Sequence, residues 1–366
     1  MLETLETLFL IFVSGYFIQS VIFFIGAAKK FPQKSDDELP TATVIVAARN
    51  EEQNVLRCLI SLDKLIYPDG KLSIILVDDK STDKTGSIID DFIKGKPKFQ
   101  KIVTKKEIGK LKGKTNALAN ALELATGEII LTTDADCEVN PNWAKTLASY
   151  YEKDVAVVNG FTSQKAVSGF SGMQAIDFVY LLFVASGTIN LGHPLSCIGN
   201  NMSYRRSAYF EVGGYENLPF SVTEDFNLLI SIYRLKKYKI IFPLNVNSLV
   251  VSLACKDFRT LYRQKKRWGV GGLQIPAKGY IVFFFGYFTQ LGMLALPFLF
   301  TPVWLYLAAF KLFIDFFVLY IIHDKLGIKK NLLYFFHFEF YYTLYVLLLP
   351  FMITISRKVI WKDRKY

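Results

Sequence analysis

No two of the four cysteines, at positions 58, 137, 197 and 255, form a C-x-x-C pair, so the sequence gives no support to a zinc or dithiol redox motif. The four read as free thiols in a reducing compartment. No internal repeat and no low-complexity segment is evident along the 366 residues. A P-loop is missing too. The basic loop at 109–115 lacks the G-x-x-x-x-G-K-[ST] spacing and does not directly follow a first strand. Nor does the start read as a cleaved leader, which would be shorter and basic at its beginning; Glu3 and Glu6 stand there instead.

What the chain has in excess is apolar and basic residues. Hydrophobic residues make up 52% and aromatic residues 15%, with the long apolar runs at both ends. The stretch 38–270 reads as globular and is long enough to bury one large core. The formal net charge of +11 invites a nucleic-acid reading, but much of the basic excess flanks apolar runs: Lys29 and Lys30, Arg263 to Arg267, Lys325 to Lys330, Arg357 to Lys365. Such flanks mark the cytoplasmic side of a membrane and meet anionic headgroups. We therefore read a membrane partner and no nucleic acid.

Residues 5–28 exceed the roughly 20 apolar residues a span needs and predict an uncleaved anchor with its basic end in the cytoplasm. The block 280–322 predicts about two more spans, with Pro297 and Pro302 near the turn, and 334–355 has the length of another. Three spans after an inside domain would leave the basic tail outside. One C-terminal segment is therefore expected to lie in the interface or to re-enter. So few spans, without matched broken helices, argue against a transporter.

In the middle, 41–48, 72–77 and 128–133 read as buried strands, and 51–62, 81–95 and 113–125 as helices between them. Strands alternating with helices predict an α/β domain with a mostly parallel central sheet. Ligands of such sheets bind beyond the carboxyl ends of the strands. Arg49, Asn50 and Glu51 fall there, as do Asp78 with Asp79, and Asp134 with Asp136.

Each of these clusters has a plain and a chemical reading. D-A-D at 134–136 is either a solvated turn or a pair of oxygen ligands for Mg²⁺ or Mn²⁺. Asp78 and Asp79 point in opposite directions, so one suffices to accept hydrogen bonds from a nucleoside; a helix-capping turn with Ser81 or Thr82 is compatible with that. The loop 109–122 is either solvated or an anion site of lysines and helix N-terminal amides. T-E-D at 223–225 opens a helix, as capping charge or with Asp225 as a general base. Q-K-K-R-W at 264–268 is an interfacial aromatic and basic belt, or offers Arg267 to a departing diphosphate and Trp268 to a sugar face.

In this order and spacing, V-I-V-A-A-R-N-E-E, V-D-D-K-S-T-D, G-K-T-N-A-L, D-A-D, T-E-D and Q-K-K-R-W resemble the membrane-integrated family 2 glycosyltransferases of the GT-A fold. That group includes cellulose, chitin, hyaluronan and poly-N-acetylglucosamine synthases. The resemblance covers about 41–270, and Q-x-x-R-W is its most specific part. It implies that Glu51 and Asp79 hold the nucleoside and that Lys114 lies near the diphosphate. Asp134 and Asp136 would bind nucleotide and metal, with Asp136 the direct ligand of Mg²⁺ or Mn²⁺. Asp225 would be the base, Gln264 and Arg267 would hold the leaving diphosphate, and Trp268 would line the acceptor site. The stretch 198–206 resembles the segment near the acceptor, which nominates Gly199 and Asn200.

The implied organisation is an anchor at 1–30, a cytoplasmic GT-A domain at 31–275, and transmembrane or interfacial helices with a basic tail at 276–366. The implied reaction is inverting, metal-dependent transfer from a nucleotide-diphosphate sugar, a UDP-sugar by resemblance. The acceptor would be a lipid-linked or growing polysaccharide at the cytoplasmic face of the cell (inner) membrane. The long polysaccharide synthases carry more spans, so repeated addition and single transfer both stay open. The alternative is a non-catalytic nucleotide-sugar-binding or scaffolding subunit of a membrane synthase complex. Such a subunit would tolerate loss of Asp225 or of the metal pair, yet both are present.

Overall fold

A computed structural model describes the chain except Met1, Lys105, Phe220, Gln274, Ile275, Arg357, Val359, Lys362, Asp363 and Tyr366; of Lys278, Ile360, Trp361, Arg364 and Lys365 it describes the backbone alone. The side chains of the basic tail, apart from Lys358, thus lie outside the described residues. Contacts divide the chain into two compact units. One comprises 29–163 and 197–253, the other 1–28, 164–196 and 254–366. Neither follows the partition read from the sequence: 164–196 and 254–275 belong with the helical segments at the two ends.

The first unit is the α/β one. Its strands are β1 (Ala42–Ala48), β2 (Leu72–Asp78), β3 (Phe99–Val103), β4 (Ile129–Asp134), β5 (Glu138–Val139), β6 (Val155–Asn159), β7 (Thr162–Gln164), β8 (Met202–Arg205), β9 (Lys239–Ile241) and β10 (Val250–Ser252). The main sheet has the order β3-β2-β1-β4-β8-β6-β9. The first four strands run parallel, β8 is antiparallel to β4 and β6, and β9 is parallel to β6. β1 is almost wholly buried because it has a strand on either side and is covered on both faces, which is why A-T-V-I-V-A-A is a continuous apolar run rather than an alternation. The chain leaves β1 in one direction for β2 and β3, then returns to the other side of β1 as β4. That reversal is a topological switch point, the place where open α/β sheets open a crevice at their carboxyl ends.

The helices of this unit are α2 (Val55–Asp63), α3 (Thr85–Ile93), α4 (Gly113–Leu124) and α5 (Trp143–Ser149), with α7 (Arg206–Glu211), α8 (Gly214–Asn217) and α9 (Glu224–Arg234) further on; α6 belongs to the second unit. The core joins Val44, Val46, Ile74, Leu76, Ile129 and Leu131, which share one face of the sheet, with Cys58 and Leu59 of α2, Trp143 of α5 and Tyr151 just after it.

The second unit is helical: α1 (Leu2–Ala27), α6 (Gly169–Asn190), α10 (Phe258–Gly272), α11 (Ala277–Ala295), α12 (Pro302–Lys325) and α13 (Phe335–Ile355). Four helices among the described residues are long and apolar enough to cross a membrane: α1, α6, α12 and the stretch 329–355 that contains α13. The apolar part of α11, 279–295, is shorter. α6 was not anticipated. It lies mid-sequence between strands, and it is the most enclosed of the four, buried along most of its length. α1 meets it at Gly26 and Gly187, whose backbones approach so closely that a Cβ on Gly26 would stand 2.1 Å from the Gly187 carbonyl oxygen. Small residues permit such approach in membrane helix pairs.

Buried polar groups also tie these long helices together. Tyr16 of α1 donates to Asp315 at 2.7 Å and meets the Tyr180 hydroxyl at 2.6 Å. Lys311 pairs with Asp315 at 2.9 Å and also with Glu339 of α13. An ion in apolar surroundings is costly unless paired, so each partner fixes the helix that carries the other.

Candidate active site

At the switch point, Ala48 is in register with Asp78 on one side and Ala47 with Asp134 on the other. With strands about 4.8 Å apart, the two aspartates stand roughly 10 Å apart across the end of β1. The turn after β1 needs Asn50 at φ 52°, a left-handed conformation that asparagine tolerates better than most residues. Its side chain accepts from the Thr82 amide at 2.9 Å, joining the turns after β1 and β2. Glu51 receives the Asn54 side-chain amide at 2.8 Å, and its own backbone amide donates to the Thr85 hydroxyl at 2.7 Å.

The adjacent aspartates take different work. Asp78 accepts the Ser81 amide at 2.9 Å and closes the turn after β2. Asp79 is 5% exposed, its amide extends the ladder to Ala48, and its carboxylate lies 3.8 Å from the Arg49 guanidinium. Arg49 also donates to the Asp79 carbonyl at 3.2 Å.

Lys114 sits in the first turn of α4, after Gly113, whose φ of 59° turns the loop into the helix. Its ammonium lies 2.5 Å from Asp134 and 3.5 Å from Glu224. Burial alone would lower its pKa; the Asp134 and Glu224 carboxylates, with a smaller contribution from Asp225, overcome that and raise it. Lys114 is therefore a permanent cation around which β4, α4 and the start of α9 are gathered. Glu224 was not among the residues singled out from the sequence. Its place beside Asp225 in T-E-D was the available signal.

Replacing Lys114 with Met leaves Asp134 and Glu224 without the ammonium they share. Removing one side of a largely buried ion pair costs about 3 kcal/mol. A thermal melt of the purified variant should show the loss, and an unchanged melt would mean that solvent already screens the pair.

Asp225 is the second residue of α9 and accepts the Phe226 amide at 2.8 Å. A Cβ on Gly199 would lie 3.0 Å from its Oδ2, so the glycine is what lets the carboxylate approach the 198–201 segment. That segment is held in turn. Thr132 of β4 donates to the Gly199 carbonyl at 2.8 Å, and Thr162 donates to the Asn200 side chain at 2.9 Å. Gly199, Asn200, Asp225, Glu224, Lys114 and Asp134 thus form one connected set. Cys197 lies beside it: burial raises its thiol pKa, and Asp225 and Glu224 add to the effect.

Asp136 sits two residues past the end of β4. Its carbonyl accepts from Arg57 at 2.6 Å, and Cys137 approaches its carboxylate at 3.5 Å. Cys58 and Cys137 are raised in pKa by burial first, then by Asp136 and Asp134, so both are inert packing thiols under the D-A-D turn.

Carboxylate oxygens are the donors that Mg²⁺ and Mn²⁺ prefer, and Asp134 and Asp136 supply two at a strand end. Among the described residues no group of three or more His, Cys, Asp or Glu side chains could by itself hold a metal ion. Such a donor set suits an ion completed by phosphate oxygens and water, the usual condition of Mg²⁺ in phosphate chemistry.

Gln264, Arg267 and Trp268 belong to the helical unit, on α10. Lys265 between them is buried against Asp177 of α6. Trp268 packs on Phe178 with ring centroids 5.4 Å apart.

Comparison with known proteins bears on this arrangement. Residues 43–213 match the model described as glycosyl transferase family 2, and residues 129–355 match glycosyl transferase family group 2. A probable glycosyltransferase of Bacillus subtilis, YdaM, is 30% identical over 68% of this chain and 59% of its own length. A beta-monoglucosyldiacylglycerol synthase of Nostoc is 28% identical over 72% of this chain and 55% of its own. The chain therefore spans less than two thirds of either relative. Among solved structures, a mannosyltransferase of Pyrobaculum calidifontis, in complex with GDP-Man and Mn²⁺, superposes with a TM-score of 0.60 at 19% identity, covering 95% of this chain and 98% of that one, and shares the GT-A-like fold. Because the second family model covers more than half of its residues, the chain belongs to the family 2 glycosyltransferases.

Proposed function

We propose that the protein transfers a sugar from a nucleotide-diphosphate sugar to a lipid-linked or growing saccharide acceptor at the cytoplasmic face of the cell membrane, with inversion at the anomeric carbon. The observation that carries this reading is the connected set at the carboxyl end of β4. Asp225 lies against Gly199, and Lys114 lies between Asp134 and Glu224.

In this reading Glu51 and Asp79 hold the nucleoside, and Lys114 meets the diphosphate. Asp225 accepts the proton of the acceptor hydroxyl, which is a weak nucleophile until it is lost. The acceptor oxygen then bonds to the anomeric carbon from the face opposite the diphosphate. The anomeric carbon–oxygen bond breaks, and its electron pair leaves with the nucleoside diphosphate. One such displacement inverts the centre without a covalent enzyme intermediate, unlike the two-step retaining route. Gln264 and Arg267 hold the departing diphosphate, where a guanidinium offers two parallel hydrogen bonds. Gly199, Asn200 and Trp268 serve the acceptor. Asp136, with Asp134, would hold Mg²⁺ or Mn²⁺, which supplies charge neutralisation at the diphosphate.

A lipid acceptor is supported by the apolar spans and by the relative named for diacylglycerol glucosylation. The test offers purified protein in bilayers UDP-glucose, UDP-N-acetylglucosamine and GDP-mannose. Each is combined with a diacylglycerol or a short saccharide, with release of nucleoside diphosphate as the readout. One donor should turn over, excess EDTA should stop it, and added Mn²⁺ or Mg²⁺ should restore it. No release with any combination would favour a binding subunit, and full turnover in EDTA would remove Asp136 from its role.

A further inference from the structure

Four residues of α6, namely Phe170, Gln174, Asp177 and Phe178, are spaced so that they share one face of that helix. Each grips a point on the segment that carries Q-K-K-R-W. The Phe170 ring meets Phe258 at 4.7 Å. The Gln174 side-chain amide donates to the Cys255 carbonyl at 3.1 Å and accepts the Cys255 amide at 2.8 Å, a two-point clamp just before α10. Asp177 takes the Lys265 ammonium, with the two side chains only 5% and 4% exposed. Phe178 packs on Trp268. The ammonium also lies over two ring faces, Trp268 at 4.6 Å and Tyr345 of α13 at 4.8 Å. It is thus enclosed by a carboxylate and two aromatic faces.

An apolar pair of similar volume would pack there as well or better, so stability alone does not account for buried charge at this place. A charge adds selectivity in rotation. Successive helical residues point about 100° apart. A rotation of α10 that set Gln264 opposite Asp177 would carry the ammonium away and leave that carboxylate buried without a charge partner, a costly state.

We infer that Asp177 is a positioning residue. It fixes the rotation of α10 through Lys265 and so fixes how Gln264, Arg267 and Trp268 are presented for transfer. The inference rests on the role proposed above for those three residues. Neither Asp177 nor Lys265 is assigned any contact with donor or acceptor.

The decisive variant is the apolar pair Asp177→Leu with Lys265→Met in the full-length protein in bilayers. Its melting temperature should stay near that of the wild type. Its kcat should fall about tenfold to a hundredfold, the scale of an ångström-sized misplacement, with the donor KM little changed. The exchanged pair Asp177→Lys with Lys265→Asp should regain much of the loss, because the charge match again selects one rotation. Wild-type kcat in the apolar pair would overturn the inference. So would a melting loss that parallels the loss of kcat, which would make the pair structural only. Arg267→Ala, measured beside them, separates the two levels: full activity there would remove the motif's role itself. An inactive Arg267→Ala beside a fully active apolar pair would remove only the role of Asp177.

Discussion

Asparagine in place of Asp225 lowers the rate of sugar transfer by about 10²–10⁴-fold, the range a positioned general base contributes. The amide has the shape of the carboxylate, and its oxygen still accepts the Phe226 amide, so α9 keeps its first turn. What is lost is the basic oxygen beside Gly199. Donor binding should survive, because in the proposed mechanism Asp225 handles the acceptor's proton and not the nucleotide. Initial rates of nucleoside diphosphate release, paired with calorimetric donor binding, separate the two effects. Turnover at the wild-type rate would show that another group takes the proton.

The second large effect concerns assembly of the helical unit. Alanine at Gly26 would place its Cβ 2.1 Å from the Gly187 carbonyl oxygen, and alanine at Gly187 would place its own 2.5 Å from the Phe23 carbonyl oxygen. Both obstacles are backbone, so relief requires α1 and α6 to move apart. Overpacking of this kind costs about 1–3 kcal/mol, or roughly 3–10 °C of melting temperature in a unit of this size. Gly286, inside α11, has nothing within 4 Å of a Cβ, so the same substitution there should be neutral or stabilising by up to about 1 kcal/mol. A signed difference between identical substitutions separates close approach from general helix propensity. Equal melts for Gly26→Ala and Gly286→Ala would mean that the two backbones do not meet as described.

Much of the α/β unit was legible in the chain because its signals are local. Buried parallel strands are short apolar runs, and β1, β2 and β4 fall within one residue of the expected 41–48, 72–77 and 128–133. The carboxylates at 79, 134 and 136 stand at or within two residues of those strand ends, so the switch-point rule reaches them from sequence. β3 was missed because F-Q-K-I-V is short, only partly buried and broken by polar residues. α6 was missed for a related reason. Gln174 and Asp177 interrupt its apolar run, and both turn out to be buried because Cys255 and Lys265 satisfy them.

The sequence by itself determined which groups the chemistry has available: the aspartates past the strand ends, Asp225 at a helix start, and Q-K-K-R-W before an apolar block. It also determined that long stretches of the chain are apolar enough to span a bilayer. Only the tertiary structure decided the partners. Glu224 joins Lys114, Gly199 admits Asp225, and α6 leaves its neighbours in sequence to hold α10. Periodicity and composition report what a segment does with its own next few residues. Pairings across 26 to 110 positions depend on which surfaces meet, and a single sequence carries no local trace of that.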